Sequence, residues 1–208
     1  MRRILWGRAT SSNVMKVIWL LEELKLPYER MDVGGPFGKT NTPEYRAMNP
    51  TGLVPTWEED GFSLWESNAI LRYLCAAHAP DSALFPREPR RRADIDRWMD
   101  AQQTVLNRPQ GVLFLGLIRT PPEKRDQAAI AQAIGEAAQA WGLIGAELGK
   151  HPFICGDTLT LADMCWGVHV HRWLNMDFDR PEVANLAGWY ERLLQRPVYR
   201  THVAREIV

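Results

Sequence analysis

The stretch from Asn49 to Leu74 constrains this chain most. Asn49-Pro50-Thr51-Gly52 is punctuation, so a strand begins only near Val54. Glu59-Asp60-Gly61 supplies the Asp-Gly pair that favours a tight hairpin, and Phe62 to Trp65 alternates as its second arm. Ala69, Ile70, Tyr73 and Leu74 then recur at helical spacing, which predicts a helix opening near Glu66-Ser67. The order is hairpin then helix, with polar groups at the junction.

Three features of that junction point to a ligand. Pro55 donates no backbone hydrogen bond, so Val54 sits where the sheet need not be fully paired. A cis bond there would leave the N–H and C=O of Val54 facing outward, to pair with an extended peptide. The helix start at Ser67 offers unpaired N–H groups and a hydroxyl to a carboxylate, and Glu66 offers a partner to an ammonium. Each feature alone describes an ordinary strand, cap or surface acid. Together they describe a site for a short peptide with a free amino-acid end.

Val54-Pro55 ahead of a hairpin, followed by Glu66-Ser67-Asn68-Ala69-Ile70, resembles the glutathione-binding signature of the cytosolic glutathione transferases. The resemblance implies a thioredoxin-like α/β N-terminal domain over 1–78, a linker over 79–90 and an all-α C-terminal domain over 91–208. It implies glutathione as co-substrate with no further cofactor or metal, a small hydrophobic electrophile as second substrate, and a two-fold homodimer.

Composition bounds the rest. In 208 residues, 25 basic and 25 acidic side chains balance, so no general attraction to nucleic acid or membrane is implied. Cys75, Cys155 and Cys165 show no metal-ligand spacing, and their odd number suits free thiols in a reducing compartment. With no signal peptide and no membrane-length apolar run, a cytoplasmic protein is expected. Nine tryptophans imply large aromatic contacts in the second half.

Taken in order, Arg2 to Trp6 reads as a strand, and a helix follows with Val14, Val17, Ile18, Leu21 and Leu24 on one face. Tyr28 to Asp32 is a second strand, giving β-α-β with a right-handed crossover. Gly34 to Gly38 lacks a nucleotide-binding pattern, and Thr42-Pro43 opens a short helix. After the prolines at 80, 86 and 89 everything reads as helix. One helix spans Arg91 to Leu106, and the helix breaker Pro109 lies beyond it. The next opens at Pro121-Pro122 and runs to about Gly149, and the last two span Glu182 to Gln195 and Val198 to Arg205. Thr160-x-x-Asp163 is a capping box, similar to one in the helical domain of the family.

Glutathione transferases ionise the glutathione thiol. A free thiol titrates near about 8.5, and a hydrogen-bond donor aimed at sulfur lowers that value. The family places Tyr, Ser or Cys for this after the first strand; here the loop holds neither Tyr nor Cys. Ser11 stands as far ahead of Glu22-Glu23 as the serine of theta-like members, and Ser11-x-Asn13 resembles the Thr-x-Asn of nu-like bacterial members. The resemblance therefore implies Ser11 as first donor and Asn13 as second, with Thr10 and Ser12 as alternatives, although such residues also serve as plain helix caps. It further implies that Val54 pairs with the cysteinyl unit, that Glu66 and Ser67 clamp the γ-glutamyl end, and that Lys39 or Thr40 meets the glycyl carboxylate. Leu53 departs from the family pattern at that end. Asp100 stands where a partner subunit's γ-glutamyl amine is reached, or is a surface acid. Position alone nominates Arg8, Phe114 and Trp166 for the second-substrate pocket, with Leu113, Arg119 and Trp173 beside them. His169 and His171 are read as structural or exposed. The activity implied is conjugation. Ser-x-Asn also suggests glutathione-dependent reduction of disulfides or peroxides, and a non-catalytic glutathione-binding interaction protein is the third reading.

Overall fold

A computed structural model of the chain describes residues 2–208. Strand β1 (Arg3–Trp6) leads into helix α1 (Ser12–Glu23), which crosses over to β2 (Glu29–Met31), parallel to β1 with Ile4 opposite Glu29. Helix α2 (Pro43–Met48) follows, capped by the Thr42 side chain on the Tyr45 N–H. Strands β3 (Thr56–Glu59) and β4 (Phe62–Trp65) form the expected hairpin. Its turn residues Asp60 and Gly61 have φ of 47° and 86°, both left-handed, as a twist-matched two-residue turn requires. The sheet order is β2-β1-β3-β4, with β3 antiparallel to β1. Helix α3 (Ser67–His78) closes this unit.

Helix α1 buries more than the predicted face: every residue from Val14 to Leu21 is buried, Lys16 included. The cause is its place between α3 and two helices of the second half, Leu161–Asn175 and Pro197–His202. A helix enclosed on all sides needs no polar face.

The second half is helical: α4 (Pro89–Ala101), α5 (Asn107–Phe114), α6 (Gln127–Leu148), α7 (Leu161–Asn175), α8 (Leu186–Leu194) and α9 (Pro197–His202). Helix α4 opens two residues ahead of Arg91. Pro89 suits a first helical position, and the Glu88 carboxylate accepts the Arg90 and Arg91 N–H groups at 3.0 and 2.7 Å. Pro109 does not break the chain's helical course but lies inside α5. A π-helical stretch, Gln102–Leu106, precedes it and widens the helix where the proline withholds an N–H. Pro121-Pro122 does not open α6. It forms a short 3₁₀ turn, and α6 starts at Gln127 because Asp126 caps the Ala129 N–H at 2.9 Å. Residues 182–185 are likewise not helical. Asn185 adopts φ 66° and donates its amide to Gly145 O at 3.0 Å, where a Cβ on Gly145 would lie 2.6 Å from Ala184 O.

The capping box of α7 is formed, and it does more than cap. The fully buried Asp163 carboxylate accepts the Ile154 and Thr160 N–H groups, the Thr160 hydroxyl and the Trp189 indole, at 2.9 to 3.1 Å. Burial pushes its pKa up to about 6 against these donors. Trp141, Trp166, Trp173 and Trp189 are also fully buried, with Trp141 and Trp166 edge to face at 5.5 Å. Trp166 and Trp173 are therefore core residues rather than pocket walls, since the α6–α7 contact needs their volume.

Candidate functional site

The loop ahead of β3 is fastened by its own side chains. The Asn49 amide donates to Leu53 O at 2.9 Å and Thr56 Oγ1 at 3.0 Å, and the Tyr45 hydroxyl donates to Leu53 O at 2.6 Å. The Val54–Pro55 peptide is cis. Neither the N–H nor the C=O of Val54 has a partner among the described residues. Across the groove α3 begins: Glu66 is exposed at φ 70°, a conformation rare for a non-glycine residue, and Ser67 is buried beside it. The Ser67 hydroxyl donates to Asn13 Oδ1 at 3.4 Å, so the N-terminal ends of α1 and α3 meet. Val54, Glu66, Ser67 and Asn13 line one groove. It presents free backbone groups, two positive helix ends and one carboxylate, the groups needed to hold an extended peptide with charged termini.

Ser11 is the N-cap residue of α1 by position, yet its side chain makes no capping bond. Its hydroxyl has no partner among the described residues. Ser11 faces a second cavity of about 190 Å³ together with Thr10 and Ser12, whereas Asn13 faces the peptide groove. The N-terminus of α1 is thus the wall shared by both spaces.

The second cavity lies between the two halves of the molecule. Arg8 and Thr10 come from the loop after β1, Phe114 and Arg119 from the end of α5 and the π-helical turn after it, and His169 and Arg172 from α7. The Arg172 guanidinium sits 4.0 Å from the Phe114 ring centre and donates to Thr10 O at 2.9 Å. The Arg119 guanidinium is 5.5 Å from the same ring. Burial, with Arg8 and Arg119 close by, pushes the Arg172 pKa down to about 10, and burial and Arg119 lower that of Arg8.

Behind this cavity runs a buried polar relay. The enclosed Lys16 Nζ, its pKa lowered by burial, donates to Gln102 Oε1 at 2.6 Å and Asn68 Oδ1 at 3.3 Å. The Gln102 amide nitrogen lies 3.1 Å from His169 Nε2. Burial, with Lys16 and Arg172 nearby, holds the His169 pKa well below its usual value, so the ring is neutral.

Of the remaining expected residues, Arg8, Phe114 and Arg119 line the cavity, while Leu113 is fully buried. Thr40 packs close to Val54: both approach the point where a Cβ on Gly34 would stand, at 3.6 and 3.1 Å. Lys39 is exposed at φ 67°, and neither Lys39 nor Thr40 lines the groove or the cavity. Asp100 is exposed and already paired with Arg72 at 2.7 Å. His171 bonds Tyr190 OH at 2.8 Å and Arg205 O at 2.6 Å, a structural role. No group of His, Cys, Asp and Glu suited to a metal occurs among the described residues. Arg172, Gln110, Lys16 and Gln102 escaped the sequence reading. No local signal marks them: each is a polar residue at an ordinary helical position, and only the packing of the elements encloses it.

Comparison with known proteins agrees with this geometry. The family models for the N-terminal and C-terminal domains of glutathione S-transferase match residues 10–77 and 127–192. The chain is 43% identical over 199 residues to glutathione S-transferase GstB of Escherichia coli K12, covering 94% of this chain and 95% of that one. A solved theta-class glutathione S-transferase from Xanthomonas axonopodis pv. citri, with glutathione bound, superposes with a TM-score of 0.94 at 41% identity, covering 99% of each chain. Glutathione transferase F2 of Populus trichocarpa gives a TM-score of 0.87 at 26% identity, covering 97% of each. The transferase reading is thereby favoured over the reductase and the non-catalytic one. The chain belongs to the glutathione transferase family.

Proposed function

We propose that this protein ionises the thiol of glutathione at the N-terminus of α1 and directs the thiolate onto a small electrophile in the adjoining cavity. One observation carries the reading: the Ser11 hydroxyl sits at a positive helix end, unused for capping, where groove and cavity adjoin. In this reading the Val54 backbone pairs with the cysteinyl unit, Glu66 holds the γ-glutamyl ammonium, and Ser67 with its helix end holds the neighbouring carboxylate. Ser11 donates to sulfur. Asn13 accepts from Ser67 through Oδ1, which leaves its amide N–H groups as a second donor set. The thiol proton passes to solvent, a C–S bond forms, and the leaving group departs with the bonding electron pair. Lys39 and Thr40 remain the candidates for the glycyl end. Phe114 and Leu115 give the electrophile an apolar surface.

The protein is further proposed to act in detoxification in the cytoplasm, as a two-fold homodimer. The three thiols are free, and no helix among the described residues is long and apolar enough to cross a membrane. Strand β4 is an edge strand whose unpaired side and exposed Phe62 and Trp65, one on each face, are open to a partner subunit. Light scattering at micromolar concentration should give the mass of a dimer; a monomer mass rejects it. For the activity, conjugation of 1-chloro-2,4-dinitrobenzene is set against glutathione-dependent reduction of hydroxyethyl disulfide. Turnover of the first well above its uncatalysed rate is expected. Reduction without conjugation would reverse the assignment.

A further inference from the structure

The cavity beside Ser11 is not the apolar slot that a purely hydrophobic electrophile needs. Three arginines from three parts of the chain, Arg8, Arg119 and Arg172, converge on it, and no acid among the described residues lines it. Among the described residues none of the three has a carboxylate within ion-pair distance. Like charges gathered at a partly desolvated place cost free energy unless an anion joins them.

Two further groups lack partners in the same wall. Gln110 is 1% exposed, and its side-chain nitrogen and oxygen have no partner among the described residues. His169 is 2% exposed and its Nδ1 has no partner among the described residues. The relay behind the cavity fixes what that nitrogen is. Lys16 Nζ donates to the Gln102 oxygen, so the Gln102 amide N–H faces His169 Nε2. Nε2 is then the acceptor of a neutral ring, and the proton resides on Nδ1. The cavity is therefore lined by three guanidinium groups that can donate to an acceptor, with the Gln110 amide and the His169 imidazole N–H enclosed in the wall behind them. Buried donors of this kind are normally satisfied.

We propose that the second-substrate cavity selects electrophiles that carry a carboxylate or similar anionic group, with the arginines binding the anion and Phe114 stacking against the body of the molecule. This rests on the transferase reading above and narrows its substrate class. Arg119 and Phe114 are already stacked, so an aromatic acid would extend an existing contact.

The test compares 4-chloro-3,5-dinitrobenzoate with its amide, at saturating glutathione. In both, thiolate attack on the chlorine-bearing carbon forms the C–S bond and releases chloride. The two differ in the charge of the distant group. After division by the uncatalysed rates, kcat/KM should favour the acid by about tenfold or more, the scale of a charge-assisted hydrogen bond. The R119Q variant, altered at an exposed side chain, should reduce that acid-to-amide ratio by about tenfold. An R8Q variant should reduce it as well. Stabilisation of the glutathione thiolate alone would lower both substrates together and leave the ratio unmoved, which overturns the proposal. So does an R119Q variant whose glutathione KM rises while the ratio holds, since the cations would then serve the tripeptide. Turnover of the amide without preference for the acid rejects the anionic selectivity and keeps the transferase. Turnover of neither rejects the transferase reading with it.

Discussion

The two spaces on either side of the α1 N-terminus are built in opposite ways. The peptide groove comes almost entirely from one continuous stretch, Asn49 to Ser67, with Asn13 opposite. It offers backbone groups and helix ends, one acid and no arginine or lysine. The second cavity draws on three distant parts of the chain, carries three arginines and no acid, and works through side chains. A groove of backbone groups suits a ligand that never changes, because the main chain is fixed whenever the fold forms. A cavity of side chains can be retuned residue by residue while the fold stands. The difference teaches where chemistry common to a family and chemistry particular to one chain are each written.

If the cavity depends on the helical half holding its shape, the Asp163→Ala variant should do the greatest damage there. Four buried donors lose their acceptor, at about 3 kcal/mol or more in total. The denaturant midpoint should fall accordingly; a midpoint equal to wild type would dissociate the box from the stability of this half. The groove is probed by Ser67→Ala. Losing a hydrogen bond to a carboxylate should weaken glutathione binding by about 1.5–3 kcal/mol, read by calorimetry. Unchanged affinity would reduce the α3 start to an ordinary helix end.

The smallest effect separates the two halves by pH. Glu59 in the sheet is buried, and the Arg3, Tyr73 and His78 side chains bring its pKa down to about 2 against the opposing effect of burial. Asp163 in the helical half is held up at about 6. A depressed carboxylate contributes stability above its unfolded value of about 4.3, lost as pH falls towards 2. A raised one acts oppositely: its contribution is complete below about 3.9 and lost as pH rises through 6. Glu59→Gln should therefore flatten the acid limb of the stability curve by about 1–2 kcal/mol between pH 5 and pH 2. An acid limb that keeps its slope would place the acid-sensitive group elsewhere.

What was legible followed the same division. Asp60-Gly61, Thr42-Pro43, Thr160 to Asp163 and the Glu66-Ser67 junction are local signals, and each formed the predicted element because its physics needs only near neighbours. Lys16 was illegible. It stands in α1 where a solvated face was expected, and only the packing of α1 between two layers encloses it. Arg172 and Gln110 look like ordinary helix residues until α5 and α7 are brought together. Pro109 misled because helix breaking assumes an α-helical pitch, and the preceding π-helical stretch removes that assumption.

The central claim is that Ser11, at the wall between the two spaces, stabilises the glutathione thiolate. Thiolate absorbance of the bound tripeptide against pH measures ionisation without any second substrate. In the Ser11→Ala variant the titration should move to higher pH, each unit corresponding to about 1.36 kcal/mol. Asn13→Ala should move it less, and glutathione affinity should stay near wild type after Ser11→Ala. A titration unmoved by Ser11→Ala but shifted by Thr10→Ala or Ser12→Ala would contradict the assignment. A titration unmoved by all four substitutions would leave the helix end itself as the source of the stabilisation.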